Sequence, residues 1–211
     1  MNISKRLKVI ADLVDTKRVI DVGCDHGYLD IYLTLYKNCT CIASDISSNA
    51  MKSCRENISR YNLNDKIETI ITDGINNIKI NKEDTIVISG MGTYTIIDIL
   101  NNKELSDTII ISSNNHLEEL RRYMVSIGYY IDNEVYVLEH DIHYVIIKFI
   151  KGNKSYNDYD YILGPIVIKD NNYKKYILNY YKEILLKIPD NNIEYINNYN
   201  KIINYIESDF I

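Results

Sequence analysis

At 211 residues, with 46% hydrophobic and 25% charged positions, the chain can bury one substantial core with a small extension, but not two full domains. A formal net charge of −5 excludes a basic footprint spread over the whole surface, so any nucleic-acid contact must use local patches. Cys24, Cys39, Cys41 and Cys54 form no C-x-x-C pair, which argues against a disulfide framework or a zinc knuckle and for a reducing compartment.

Ser4 can cap a first helix that carries Leu7, Ile10, Ala11 and Val14 on one face and Lys5, Arg6 and Lys8 elsewhere. Met1 to Arg6 lacks the apolar run of a signal peptide, and no apolar stretch approaches the about 20 residues that cross a bilayer; the expectation is a soluble, cytoplasmic protein. From residue 18 onward, apolar runs of strand length alternate with amphipathic segments. Strands are predicted at 18–22, 40–45, 66–71, 85–89 and 108–111, and helices at 28–36, 47–61 with Ser47 as N-cap, 94–100 and 116–127. Such alternation builds a parallel sheet from βαβ units.

After Gly128 the pattern changes to two strand-like runs, 129–138 and 142–150, joined by Glu139-His140-Asp141. The predicted fold is α/β: a Rossmann-like, seven-stranded sheet of five parallel strands closed by an antiparallel hairpin. Residues 151–160 read as a polar linker, Gly164-Pro165 as a turn, and 161–211 as a helical hairpin split at Pro189. The expected domains are therefore 1–151 and 161–211.

In doubly wound sheets the ligand lies beyond the carboxyl ends of the strands, at the switch point. The first strand runs into Asp21-Val22-Gly23-Cys24-Asp25-His26-Gly27, where two glycines permit a sharp turn and close approach of a ligand. Positions 25 and 28 are Asp and Tyr, so the dinucleotide fingerprint G-x-G-x-x-G is absent. Alone, this turn is weak evidence and favours a merely structural strand-to-helix connection. Asp45 ends the second strand 18 residues after Gly27, near the about 20-residue interval at which a carboxylate meets ribose hydroxyls. Asp73-Gly74 follows the third strand, where the Asp can accept from an adenine amine, although Asp-Gly is also an ordinary turn pair. Gly90, Met91 and Gly92 follow the fourth. The joint occurrence of these signals at successive strand ends favours cofactor binding over four separate turns.

The segments Ser4-Lys5-Arg6-Leu7, Asp21 to Leu29, Asp73-Gly74, Gly90-Met91-Gly92 and Leu163-Gly164-Pro165 resemble, in order and over nearly the whole chain, the bacterial TrmK family. That resemblance implies a class I S-adenosylmethionine-dependent methyltransferase acting on N1 of adenine 22 in tRNA, with a coiled-coil-like helical tail. It implies cofactor contacts from Asp21, Gly23, Asp25, His26, Gly27, Asp45, Ile46, Asp73, Gly74, Gly90, Met91 and Gly92. The chain departs from the family pattern at Ser44-Asp45 (Gly-Glu), Ser112-Ser113-Asn114 (Gln-Pro-Asn) and Tyr144-Val145 (Tyr-Glu), and its tail is shorter.

Methyl transfer to a neutral adenine N1 needs alignment rather than a strong base. The product ring is cationic, so a carboxylate nearby stabilises developing charge. Asp25 is assigned that role, Asn114 the base edge and Tyr28 a stacking wall. The bland readings are an Asp25 bonded to backbone amides and a Tyr28 filling the core. Lys5, Arg6, Arg121, Arg122, Lys174, Lys175 and Lys182 are the candidate phosphate contacts, although solvated helix faces explain the same residues. His140 and His143 are three apart across a hairpin, so no shared metal is expected. The protein is expected to be a monomer whose partner is tRNA, with no membrane contact. Rival readings are a same-fold methyltransferase with another acceptor, a nicotinamide dehydrogenase, and a catalytically silent tRNA-binding homologue.

Overall fold

The computed structural model describes residues 1–208, and the chain divides into two compact units, Met1–Ser155 and Tyr156–Ile211. The first unit is a seven-stranded sheet of β1 (Arg18–Val22), β2 (Thr40–Asp45), β3 (Ile67–Ile71), β4 (Thr85–Met91), β5 (Thr108–Ser113), β6 (Tyr129–Glu139) and β7 (Ile142–Lys151), ordered β3-β2-β1-β4-β5-β7-β6. The first five strands are parallel, and β7 pairs antiparallel with both β5 and β6. This is the predicted architecture. The chain leaves β1 toward β2 and β3 and returns to β4 on the other side, which makes the β1–β4 boundary the switch point.

Connecting helices are α1 (Lys5–Leu13), α2 (Tyr28–Lys37), α3 (Ser48–Arg60), α4 (Thr93–Leu100) and α5 (Leu117–Ser126). The predicted caps form: Ser4 Oγ accepts from Leu7 N at 3.2 Å, and Ser47 Oγ accepts from Ala50 N at 3.3 Å. Ile10, Ala11, Leu29, Leu33, Met51, Cys54 and Ile58 from α1–α3 pack on Val19, Cys41, Ala43, Val87 and Ile146 of the sheet. Each fully buried aliphatic side chain there contributes about 1.5–3 kcal/mol. Side chains alternate along a strand, so Asp21 projects to the same face as Val19, toward the helices.

The hairpin link is shorter than predicted. The strands extend to Glu139 and Ile142, leaving His140 (φ 50°) and Asp141 (φ 61°) in the left-handed region, the backbone of a two-residue type I′ turn.

The second unit contains α6 (Asp158–Leu163), a 3-10 turn Val167–Lys169, α7 (Asn171–Leu185) and α8 (Ile193–Ser208). α6 begins inside the stretch read as a polar linker. Asn157 accepts from Asp160 N at 3.1 Å while Asp160 accepts from Asn157 N at 2.9 Å, a capping box that starts a helix in an otherwise polar run. Tyr159 stacks on Tyr205 at 4.0 Å between ring centroids, and Tyr181 meets Tyr199 at 5.8 Å.

Candidate active site

A cleft of about 330 Å³ opens at the carboxyl ends of β1, β2 and β4, between Asp21, Gly23, Asp25, His26, Tyr28, Asp45, Gly90 and Met91, with Arg6 and Leu7 of α1 on its rim. Eight of the predicted cofactor and catalytic residues meet there. Its floor is the turn after β1. Gly23 (φ 77°) and Gly27 (φ 70°) occupy the left-handed region, and a Cβ on Gly27 would lie 2.6 Å from Cys54 Sγ. Only glycine takes that backbone without strain, and there α3 presses directly on the turn.

The turn is then tied to β2. Gly23 N and Cys24 N both donate to the Ser44 carbonyl, at 2.8 and 3.0 Å. Asp45 accepts from Asp25 N at 3.2 Å through Oδ2 and from Ser47 N at 2.8 Å through Oδ1. Its carboxylate therefore fixes both the β1 turn and the start of α3, and each oxygen keeps a lone pair for a ligand. His26 is anchored by its carbonyl, which accepts from Asn57 Nδ2 at 3.0 Å; its ring lies 3.6 Å from Asp25 Oδ2 and 5.8 Å from the Tyr28 ring. Asp25 is exposed, and Tyr28 stands 44% exposed at the cleft wall, so neither serves as core filling.

Asp21 sits at the back of the cleft, 4% exposed. Burial pushes its carboxyl up to about 7; the neighbouring Asp30 side chain opposes the rise, the Asp45 charge adds to it, and Arg6 opposes it. Arg6 stands at the cleft itself: its guanidinium lies 4.9 Å over the Tyr144 ring and about 3.5 Å from where a Cβ on Gly90 would stand, on the cleft rim. Its seat is held by Glu139, which accepts from Lys5 N at 2.6 Å and Arg6 N at 3.4 Å. Although burial pushes the Glu139 carboxyl up, those amides outweigh it and hold it below the usual carboxylate range.

Other predicted residues lie outside the cleft lining. Gly27 is buried beneath the turn, Ile46 is 68% exposed beyond Asp45, and Asp73 is exposed after β3, with Gly74 packed against Ile99. Gly92 precedes α4. Asn114 donates through Nδ2 to the Gly90 carbonyl at 2.9 Å, which places it against the cleft's edge.

Two predicted phosphate contacts are overturned by burial. Arg121 is fully buried and bonds Glu134 through Nε at 2.8 Å, because it shares the apolar face of α5 with Leu120 and Met124. Lys174 is 5% exposed, on the face of α7 that carries Ile177. Lys5, Arg122, Lys175 and Lys182 are exposed, although Arg122 pairs with Glu118 and Lys182 with Glu207 at 2.6 Å.

Sequence reasoning missed Asp30 and Glu139. A signal for Asp30 exists: it interrupts the apolar face of α2 one turn before Leu33 and Thr34, where a charged side chain needs a partner. Among the described residues no helix is long and apolar enough to cross a membrane, and no cluster of three or more His, Cys, Asp or Glu side chains is placed to hold a metal. The four cysteines are free and buried.

Residues 3–147 match a family described as a methyltransferase domain. The chain is 34% identical to MG248 of Mycoplasma genitalium, described as a candidate tRNA methyltransferase, over 97% of this chain and 99% of that one. It is 29% identical to the tRNA (adenine(22)-N(1))-methyltransferase of Bacillus subtilis, over 82% of this chain and 77% of that one. Among solved structures it is similar to M. capricolum TrmK bound to S-adenosylhomocysteine, with a TM-score of 0.86 and 30% identity over 97% of this chain and 98% of that one.

Proposed function

The chain belongs to the TrmK-like family of tRNA methyltransferases, and on that premise we propose that it transfers the methyl group of S-adenosylmethionine to N1 of adenine 22 in tRNA. The observation that carries this reading is the cleft over β1, β2 and β4, where carboxylates, backbone turns and one guanidinium converge. That donor set suits the cofactor. Asp45 offers two acceptor oxygens for a ribose diol, Asp21 favours a cationic ammonium, Asp25 a cationic sulfonium, and Arg6 suits a carboxylate. The cofactor supplies an activated methyl group.

The chain's own residues align the acceptor and exclude water. Asn114 has its amide nitrogen engaged by Gly90, which leaves its carbonyl oxygen to accept from the adenine amine. Tyr28 provides an exposed ring for the base to rest on, and such stacking is worth about 1–3 kcal/mol. Asp25 carries negative charge toward the ring that becomes cationic as the methyl group arrives. An Asp25→Asn variant is expected to bind S-adenosylhomocysteine normally and lose turnover by roughly 10²-fold or more, of the order seen when one charge-stabilising group is removed; full turnover would remove Asp25 from the mechanism.

Residues 161–211 are proposed to grip the tRNA backbone, with Lys175 and Lys182 as contacts beside Lys5 and Arg122; Arg121 and Lys174 no longer belong to that set. The enzyme is further proposed to act as a monomer in the cytoplasm, and sedimentation of the purified protein tests the first of these. The reaction itself is tested by incubation with methyl-labelled S-adenosylmethionine and tRNA transcripts, followed by mapping of the modified base. Label at N1 of adenine 22 is expected. Label at another position overturns the acceptor assignment, and no transfer favours a silent tRNA-binding homologue.

A further inference from the structure

The loop that carries Asn114 is closed onto the turn between β4 and α4 by two buried hydroxyls. Thr93, the first residue of α4, is fully buried, and Ser113, the last of β5, is 5% exposed, whereas Asn114, Asn115 and His116 are exposed. Thr93 Oγ1 lies 2.8 Å from Ser113 Oγ, 2.7 Å from the Asn115 carbonyl oxygen and 3.2 Å from that of His116. Asn115 N donates to Ser113 Oγ at 3.5 Å, and Thr93 N donates to Asn115 Oδ1 at 3.2 Å.

A hydroxyl has one proton to give, which fixes the direction of these bonds. A carbonyl only accepts, so Thr93 gives its proton to Asn115, the nearer of its two carbonyl contacts, and accepts from Ser113. Ser113 has other acceptors in the Asn115 and Met91 carbonyls, at 3.0 and 3.3 Å, but Thr93 is nearer. The path from Asn115 N–H through Ser113 Oγ and Thr93 Oγ1 to the Asn115 carbonyl is thus a closed ring that begins and ends on one residue. In such a ring each bond polarises the next in the same sense and strengthens it.

The residue bracketed by the ring is Asn114. Its backbone N donates to the Met91 carbonyl at 3.0 Å, and its Nδ2 donates to the Gly90 carbonyl at 2.9 Å. Since that carbonyl only accepts, the amide nitrogen faces Gly90 and Oδ1 is the atom left for a ligand. An exposed amide bond competes with water and by itself aims that oxygen loosely. Fixing the backbone on both sides of Asn114 removes the freedom.

We infer that Thr93 is a positioning residue for methyl transfer: through its hydrogen-bond ring with Ser113 and Asn115 it holds Asn114 Oδ1 where the adenine amine arrives. The inference rests on the acceptor reading above. Thr93 lies outside the cleft lining, so its effect passes through Asn114. Its loss should register in turnover and leave cofactor binding alone.

Thr93→Val puts a methyl group in place of the hydroxyl and should lower kcat for tRNA about 10- to 100-fold, the scale of a small misplacement near the reacting atoms, with S-adenosylhomocysteine affinity unchanged. Thr93→Ser, which keeps the hydroxyl, should restore turnover. Ser113→Ala opens the ring from the other side and should repeat the pattern, so the test does not depend on one variant folding. Added to Asn114→Ala, Thr93→Val should cost nothing further, because residues acting through one contact are not additive. Equal losses in both backgrounds, native turnover in Thr93→Val and Ser113→Ala, or no rescue by Thr93→Ser overturns the inference. Absence of methyl transfer by the native chain overturns the acceptor reading instead. The ring is then decided by amide hydrogen exchange: relative to Ile110 in β5, the Asn114 amide should exchange about tenfold faster or more in Thr93→Val and at the native ratio in Thr93→Ser. An unchanged ratio in Thr93→Val refutes the hold on Asn114.

Discussion

The strand ends of the first unit and the helices of the second hold their polar side chains in opposite ways. At the cleft, Asp45 bonds two backbone amides from separate segments, Glu139 bonds two more from α1, and Asn114 bonds the Gly90 carbonyl. On the helices of the second unit, Lys182 and Glu207 pair across α7 and α8 with both side chains nearly half exposed. The first arrangement is over-determined, since moving one side chain disturbs several backbone segments. The second is replaceable, because an exposed ion pair is worth only about 0.2–1 kcal/mol. The difference teaches where a substitution should act on stability, where on the cofactor, and where only on tRNA.

Adjacent arginines on α5 give the largest test. Arg121→Ala strands the fully buried Glu134 charge, and breaking such a pair costs about 3–5 kcal/mol, to be read as a large drop in Tm or in urea midpoint. A loss under 1 kcal/mol would mean that burial there is not what holds α5 to β6. Asp45→Ala comes next. It removes the acceptor of two amides and of the proposed ribose diol, so S-adenosylhomocysteine affinity should fall about 10- to 100-fold, the worth of one or two charge-assisted hydrogen bonds. Unchanged affinity would place the ribose elsewhere.

Smaller effects belong to the second unit. Reversing Lys175 and Lys182 together to Glu should weaken tRNA binding several-fold and flatten the logarithmic salt dependence by about two units, with cofactor affinity unchanged. An identical salt slope would remove α7 from the tRNA interface. Smallest of all, Arg122→Ala exchanges an exposed pair with Glu118 for solvent and should alter stability by no more than about 0.5 kcal/mol. A larger loss would break the contrast with Arg121.

The same contrast governs what could be read from the chain. The ends of the first four strands were legible because each is marked by glycine or aspartate at a place where the topology requires a turn, and Ser4 and Ser47 announce their helices through caps. The cations were not legible, since Arg121 and Arg122, or Lys174 and Lys175, differ only in which side of a helix they occupy. The period through Leu120 and Met124 did carry that information for Arg121. Asp30 was harder: its residue type conflicts with its apolar neighbours on α2, but its full burial emerges only when α2 settles on the sheet. The seat of Arg6 at the cleft rim was not legible either, because Glu139, which accepts from its backbone N–H, lies 133 residues away.

That separation has a consequence for synthesis. Residues 5 and 6 leave the ribosome early, whereas Glu139, which receives their amides, and Tyr144, on which Arg6 rests, follow more than a hundred residues later. Contacts this distant form late. The turn at 21–27 can be in place while the rim above it is still missing, so a nascent chain arrested before the hairpin has a floor for the cofactor and no Arg6 clasp. Tight retention of the ligand would then mark a chain that has added its last two strands.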